Sequence, residues 1–441
     1  MPKPISRRAA AAGLSGALAL PTALRAQGAV FDRDVAIVGA GAAGISAAKE
    51  LLRLGKTFVV LEARDRVGGR MFTDASLGAP FDAGAVYIHW AERNPWKSVA
   101  EALSVATIDN DSTPTLSRFY DHGAPAAQRG GERENSAATD TLFDTDAAPV
   151  PDVSMSERVA GLGEPGRRAD EAIARLALGD EPENISALDY ARLWSGADLL
   201  VPSGYGALAQ TFARGLDTRL SSPVNAIDYS GAGVSLETPA GRVRARAAIV
   251  TVPVGVLKSG AIRFTPGLPA STRDGLNGLD MGALTKIGLK FDGARFGIEP
   301  ATDLWDRLGP RASFDFECWT WDRDLIVAYL GGDHARGLVG QGERAAIETA
   351  LDELTRIIGP AARKRFVRGV LHGWCVDPLS MGCYSHALPG HADARAKLAA
   401  PVAERLFFAG EATGGEGFGG AMTAGGAFLA GQAAARAAAL A

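Results

Sequence analysis

Val35 to Val38 is a short, unbroken apolar run of the kind that suits a strand covered on both faces, and it stops at Gly39. Alanine and leucine then recur at helical spacing from about Ala42 to Leu54, and Gly55 ends the pattern. A second apolar run, Thr57 to Leu61, closes on Glu62. Strand, glycine turn, helix and strand make a βαβ unit. Near the other end, LFFAGEATGGEGFGGAMTAGGAFLAG predicts a strand, a Gly-Glu pair, a glycine-rich loop and a terminal helix from about Ala424. Between them, Lys286, Gly288 and Lys290 alternate with Ile287, Leu289 and Phe291, which predicts a strand with one polar face. Charged and apolar residues from Ser156 to Trp194 have helical spacing, whereas Gly123 to Met155 is poor in large apolar residues and reads as a long exposed loop.

At 441 residues and 47% hydrophobic content the chain can fill two sizeable cores. Its net charge of −4 is spread along the length, with no basic stripe for nucleic acid and no polybasic segment for a membrane, so a small-molecule partner is expected. Three clustered cysteines and six scattered histidines give neither a disulfide framework nor a metal motif. Ser6-Arg7-Arg8 before the apolar run Ala9 to Leu24 is similar to a twin-arginine export signal, which implies residues 1–26 as a leader and a periplasmic location in a bacterium.

The glycines carry specific chemistry. Gly39 permits a tight turn, Gly41 lets backbone approach a pyrophosphate, and Gly44 lets the helix pack close to its strand. The helix start, with Ala43 in its first turn, presents unpaired N–H groups and a positive dipole end to phosphate. Glu62, about 20 residues on, is placed to accept ribose hydroxyls. RDRVGGR continues past the acid: Ala63, Arg64, Gly69 and Arg70 offer a second backbone approach and positive charge, which an NAD site does not need. Together with the glycine-rich C-terminal pattern, this predicts FAD gripped at both ends.

These motifs, with FDAGAVYIHW, VPSGYGAL, TVPVGVLK, LTKIGLKFD and WCVDPLSMGCYS, resemble the flavin-containing amine oxidases, which include monoamine oxidases, polyamine oxidases and lysine-specific histone demethylases. The resemblance covers nearly all of Asp34 to Ala441. It implies an α/β fold, with a Rossmann-like FAD-binding domain from residues 31–90, 201–264 and 386–441. A discontinuous α+β substrate domain follows from residues 91–200 and 265–385. It also implies that Lys286 holds a water against flavin N5 and that Trp374 and Tyr384 flank the flavin as an aromatic slot. Such a slot disfavours the ammonium form of an arriving amine and tolerates residual charge on its ring faces. Ala85, Val86, Val224, Gly410, Glu411, Thr423 and Ala424 take cofactor-binding places by the same resemblance. Cys383 stands where monoamine oxidases form a thioether to flavin, although relatives with noncovalent FAD carry serine or alanine there.

Departures from the family pattern are Thr423, where monoamine oxidases have a second tyrosine, and Trp90, where many relatives have glycine. Phe418 is a candidate replacement ring. Asp315, Glu317, Trp319 and Trp321 are candidates for the pocket lining; two acids suit a diamine, and alternating strand exposure explains them equally well. The expected reaction is hydride transfer from an amine to flavin with oxygen as acceptor. Amino-acid oxidation, C–C desaturation and a redox-partner role without oxygen turnover are the alternatives.

Overall fold

The computed structural model describes residues 31–112, 115–126, 140–141, 151–309 and 311–441. The expected leader and most of the expected 123–155 loop lie outside the described residues.

An eight-stranded sheet is ordered Thr218–Arg219, Phe58–Leu61, Arg33–Val38, Gly241–Val250, Val234–Thr238, Ala226–Asp228 and Arg263–Thr265, with Leu406–Phe408 also pairing with Gly241–Val250. Arg33–Val38 runs parallel to both of its neighbours, Val35 opposite Phe58 on one side and Ala247 on the other. Its apolar run serves two cores: Val35 and Ile37 pack with Trp96, Ile249 and Phe428, and Ala36 and Val38 with Val224, Ile227 and Leu406. That two-sided burial is why the run does not alternate with polar residues.

The helix Ala42–Arg53 packs along the terminal helix Ala424–Ala438. A side chain at Gly431 would put its Cβ 2.1 Å from the Ala43 carbonyl oxygen, so the two backbones approach as only glycine allows. Ser46 Oγ donates to the Phe428 carbonyl at 2.8 Å, and the buried Glu50 carboxylate pairs with Arg53 and Arg436. The two ends of the described chain are thereby locked together.

A second, seven-stranded sheet is ordered Phe366–Leu371, Thr285–Phe291, Leu325–Leu330, Ala312–Cys318, Thr302–Gly309, Leu116–Asp121 and Ala124–Ala126. Ile287, Leu289 and Phe291 bury against the helix Glu343–Ile358 through residues such as Leu351 and Leu354. The opposite face carries Lys286 and Gly288, and a Cβ at Gly288 would meet Leu77 and Phe81. The alternation read from sequence is the alternation found.

Two stretches assigned on sequence to the substrate part pack instead into the cores of the cofactor part. The helix Pro95–Ala102 buries Trp96 completely, edge-on to Tyr205, Phe212 and Phe428, with its indole N–H on the Ala424 carbonyl at 3.1 Å. Leu268, Leu276, Leu279 and Met281 join the core of Val250 and Phe408. In both places a large apolar face takes the nearest uncovered core, whatever sheet follows in sequence. The expected helical stretch 156–194 is broken into short helices, Met155–Arg158, Gly163–Ile173 and Ala187–Ala191 among them, where glycines with positive φ at 163 and 179 interrupt it.

Candidate active site

A cavity of about 420 Å³ runs between the two glycine regions. Gly39, Gly41, Ala43, Glu62, Ala63, Arg64, Gly69, Arg70, Ala85, Val224, Gly410, Glu411, Thr423 and Ala424 line it, and so do Lys286, Trp374, Cys383 and Tyr384. Two expected residues stand elsewhere. Gly44 is behind the wall, where a Cβ would lie 1.9 Å from the Gly39 carbonyl oxygen, which is the packing role its position predicts. Val86 faces a neighbouring cavity.

The residues fit FAD. A Cβ at Gly41 or Gly410 would meet no protein atom within 4 Å, so both sites keep open space for a ligand against bare backbone. The N-termini of the helices beginning at Ala42 and Ala424 both reach the cavity, one cap being Gly41 and the other Thr423, whose Oγ1 accepts the Gly426 N–H at 3.0 Å. Anionic groups are favoured at both places. Glu62 accepts the Ala40 N–H at 2.6 Å and the Arg64 N–H at 2.8 Å, which fixes its carboxylate and leaves lone pairs for hydroxyl donors. Gly69, at φ +57, packs so closely on the turn that its Cβ would sit 3.3 Å from the Gly41 Cα.

The two arginines expected at the cofactor, Arg64 and Arg70, are engaged with protein. Arg64 donates to Asp377 Oδ2 and Ser380 Oγ, each at 2.9 Å. Arg70 donates to the Cys383 carbonyl at 2.6 Å and to Glu411 Oε1 at 3.2 Å, and Glu411 in turn accepts from the Ser385 hydroxyl at 2.8 Å. Arg70 thus joins the two chain segments that carry Tyr384 and the Gly410-Glu411 pair. Their motifs announced positive charge but not its partners.

At the other end Lys286 is buried, and its Nζ donates to the Gly84 carbonyl at 2.5 Å and the Asp82 carbonyl at 3.2 Å. Burial pushes this ammonium down to about 8 against the pull of Asp82 and Glu317. Trp374 is fixed by an indole N–H bond to the Ala83 carbonyl at 2.9 Å and stacks on His372, which pairs with Asp74 at 2.8 Å. Lysine and both aromatic rings therefore meet the same cavity, with Lys286 and Trp374 pinned on the FDAG segment. Phe418 is not among the lining residues, and the glycine-rich loop is packed by Trp194, against which a Cβ at Gly419 would collide. Trp90 lies edge-on to Trp194, outside the cavity wall.

A second cavity of about 210 Å³ lies beyond the Asp82 to Gly84 segment, lined by Tyr87, Asp303, Glu317, Trp321, Arg323 and Tyr329 among others. Asp303 and Glu317 are direct cross-strand partners, and Asp315 stands two residues from Glu317 on the same face. Tyr329 and Tyr87 donate to Glu317 at 3.0 and 3.4 Å. Burial and repulsion from neighbouring carboxylates push Asp303 up to about 7 and hold Asp315 well above its usual range, and burial raises Glu317 although the bonds from Tyr329 and Tyr87 and the Lys286 charge oppose it. Asp315 is buried, with one oxygen lacking any hydrogen-bond partner. Trp319, by contrast, is a core residue packed on Phe291 and Phe296. Among the described residues no cluster of His, Cys, Asp and Glu is arranged to hold a metal ion.

Sequence reasoning passed over much of the wall: Thr251 to Pro253, Val256, Ile262, Leu284 and Pro378 to Ser380. Thr251 bonds the Val38 and Gly39 carbonyls and packs on Gly39, a role that the TVPVGVLK motif marked without explaining.

A dinucleotide cradle opening onto a buried lysine and two aromatic rings defines an FAD-dependent oxidoreductase. More particularly, the chain belongs to the flavin-containing amine oxidase family: the family model described as flavin containing amine oxidoreductase matches residues 42–439. It is an FAD-dependent amine oxidase. Polyamine oxidase 2 of Arabidopsis thaliana is 30% identical over 433 residues, covering 86% of this chain and 83% of the relative. Lysine-specific histone demethylase 2 of Homo sapiens is 27% identical over 425 residues, 87% of this chain and 51% of that protein. A solved putrescine oxidase bound to putrescine has the same fold at a TM-score of 0.76 and 22% identity, covering 92% of this chain and 98% of its own. So does cyclohexylamine oxidase from Brevibacterium oxydans, at 0.74 and 22%, covering 93% and 99%.

Proposed function

We propose that the substrate is an amine with a second cationic nitrogen, a diamine or polyamine, oxidised at a CH–NH bond to an imine that water hydrolyses. FAD, when bound, supplies the hydride acceptor and the route of electrons to oxygen, released as hydrogen peroxide. Lys286 holds a proton-bearing nitrogen at the cavity wall, and Trp374 and Tyr384 keep the reacting nitrogen in a water-poor slot that favours its neutral form. The observation that carries the substrate class is the acidic face of Asp303, Asp315 and Glu317 just beyond that lysine, where a second ammonium gains what three crowded carboxylates lack. The names of the polyamine and putrescine oxidases among the similar proteins support the same class.

Amino-acid oxidation needs a free carboxylate-binding arginine. Arg323 lines the second cavity, but the Pro80 and Pro202 carbonyls hold its guanidinium. A peroxide assay across putrescine, spermidine, benzylamine, cyclohexylamine and amino acids tests the reading. Diamines should turn over best, and Glu317→Gln should raise KM for putrescine by about tenfold or more while leaving a monoamine of similar length nearly unchanged. Equal effects on both amines, or preferred turnover of amino acids, would remove it.

Export through the twin-arginine route is a further part of this proposal, supported by Ser6-Arg7-Arg8 and the apolar run after it. Replacing both arginines by lysine should abolish periplasmic yield on cell fractionation, and undiminished yield would count against export.

A further inference from the structure

Between Trp374 and Tyr384 the chain leaves the reactive end of the cavity and returns to it. The outer part of this excursion, Pro378, Leu379 and Ser380, lines the cavity together with Val224, Val256 and Ile262. Val376, Pro378 and Met381 of the same excursion are exposed. Here the wall between cavity and water is a single loop thick.

The loop is folded on Asp377. Its Oδ1 accepts the Leu379 N–H at 2.8 Å and its carbonyl accepts the Ser380 and Met381 N–H groups at 3.0 and 2.8 Å. Met381 is held at φ +54, a left-handed conformation that a side chain disfavours, and its Cβ sits where one on Gly255 would come within 2.7 Å. Arg64 reaches this turn from the opposite motif. Its guanidinium fork bonds Asp377 Oδ2 and Ser380 Oγ, one acceptor at each end of the Asp377–Ser380 turn. The backbone of Arg64 is itself fixed, its N–H by Glu62 and its carbonyl by the Ser221 N–H. The arginine is thus anchored in the rigid cradle and holds the thin wall from there. Both members of the ion pair retain some exposure, 15% for Arg64 and 24% for Asp377. The charged groups of the pair therefore stay within reach of water, so breaking it strands neither of them in a dry interior.

We propose that Asp377 and Ser380, gripped by Arg64, form a clasp on residues 376–381 that opens to admit and release the cofactor and closes to retain it. The expectation concerns exchange kinetics, not chemistry. Asp377 and Ser380 set how fast the cofactor passes the wall, and the glycine turn, Glu62 and the two helix ends set how tightly it is held.

The test uses holoenzyme as purified. Bound FAD is exchanged against an excess of an FAD analogue with a distinct spectrum, and equilibrium occupancy is measured separately by dilution. Asp377→Asn and Ser380→Ala should each accelerate exchange, by about tenfold for the charge-removing variant, while occupancy at a given FAD concentration shifts less than about threefold. Asp377→Glu should bring exchange back toward the native rate. Unchanged exchange in both variants would overturn the proposal. So would faster exchange matched by a proportional loss of occupancy, because the two residues would then simply be contacts of the bound cofactor. Should Asp377→Asn fail to fold, Ser380→Ala carries the same test, because its hydroxyl contributes no charge and its loss leaves the Asp377 turn in place.

Discussion

The Lys286 ammonium donates to the carbonyl of Gly84 at 2.5 Å, so the nitrogen predicted to work beside the flavin is tethered to the segment that also holds Trp374, through Ala83. Two of its three N–H groups go to backbone carbonyls, which leaves one that could fix a water in the cavity. Lys286→Met keeps the bulk and removes the donors. Flavin reduction or reoxidation should fall by about 10²-fold, the usual cost of one preorganised donor, with FAD still bound. Rapid-mixing measurement of both half-reactions decides it, and native rates in both would remove Lys286 from the chemistry.

The same lysine makes stability depend on pH in a definite direction. Its folded value, about 8, is below the ordinary 10.5 because burial penalises the charge. Between those values the unfolded chain binds more protons than the folded one, so stability rises with pH across the window, by up to about 3 kcal/mol. Below about pH 8 both states are protonated and this contribution is constant. In flavin-stripped protein, the difference in Tm between native chain and Lys286→Met should therefore be flat from pH 6 to 7.5 and move in favour of the native chain toward pH 10, in steps of order 1 kcal/mol per unit. A pH-independent difference, measured by calorimetry, would contradict the depressed ammonium.

Local chemistry was legible in the sequence; long-range partnership was not. Gly39, Gly41 and Gly44 announced their turn because each answers a steric demand within a few residues, and the alternation around Lys286 announced its face because a strand has a period of two. Nothing local says that Arg64 meets Asp377 and Ser380 more than 300 positions away, or that Arg70 meets Glu411, since a guanidinium reads the same whether it faces phosphate or carboxylate. The Pro95–Ala102 helix shows the same limit: its amphipathic face declares that it will be buried but not in which core. Asp315 and Glu317 were visible as two acids on one strand. Asp303, which completes the cluster, became visible only with the register that sets it against Glu317.

Gly41 and Gly44 belong to one motif yet should fail differently. A Cβ at Gly41 meets no protein atom within 4 Å but occupies cavity space, whereas one at Gly44 would stand 1.9 Å from the Gly39 carbonyl oxygen. Gly41→Ala should leave the thermal stability of the flavin-stripped protein within about 0.5 kcal/mol of native and lower FAD affinity by tenfold or more. Gly44→Ala should destabilise the chain itself by about 1–3 kcal/mol through overpacking. Thermal unfolding with and without added FAD separates the two, and identical behaviour of both variants would count against the division of roles.

Cys383 offers the sharpest chemical choice, because a thioether to flavin requires an accessible thiolate near the ring. Its Sγ accepts the Leu284 N–H at 3.1 Å and is crowded by Gly179 and Gly282, where added Cβ atoms would lie 3.0 and 3.2 Å away. Burial also pushes the thiol up to about 12, so at neutral pH roughly one molecule in 10⁵ carries the nucleophile. The neutral, backbone-bound sulfur behaves as a small packing group. FAD should accordingly be noncovalent: acid precipitation should leave a yellow supernatant and a colourless pellet. Cys383→Ala should keep full flavin content, with stability reduced by about 1 kcal/mol for the lost packing. A yellow pellet that turns colourless in Cys383→Ala would reverse this assignment and require the sulfur to leave Leu284 for the flavin.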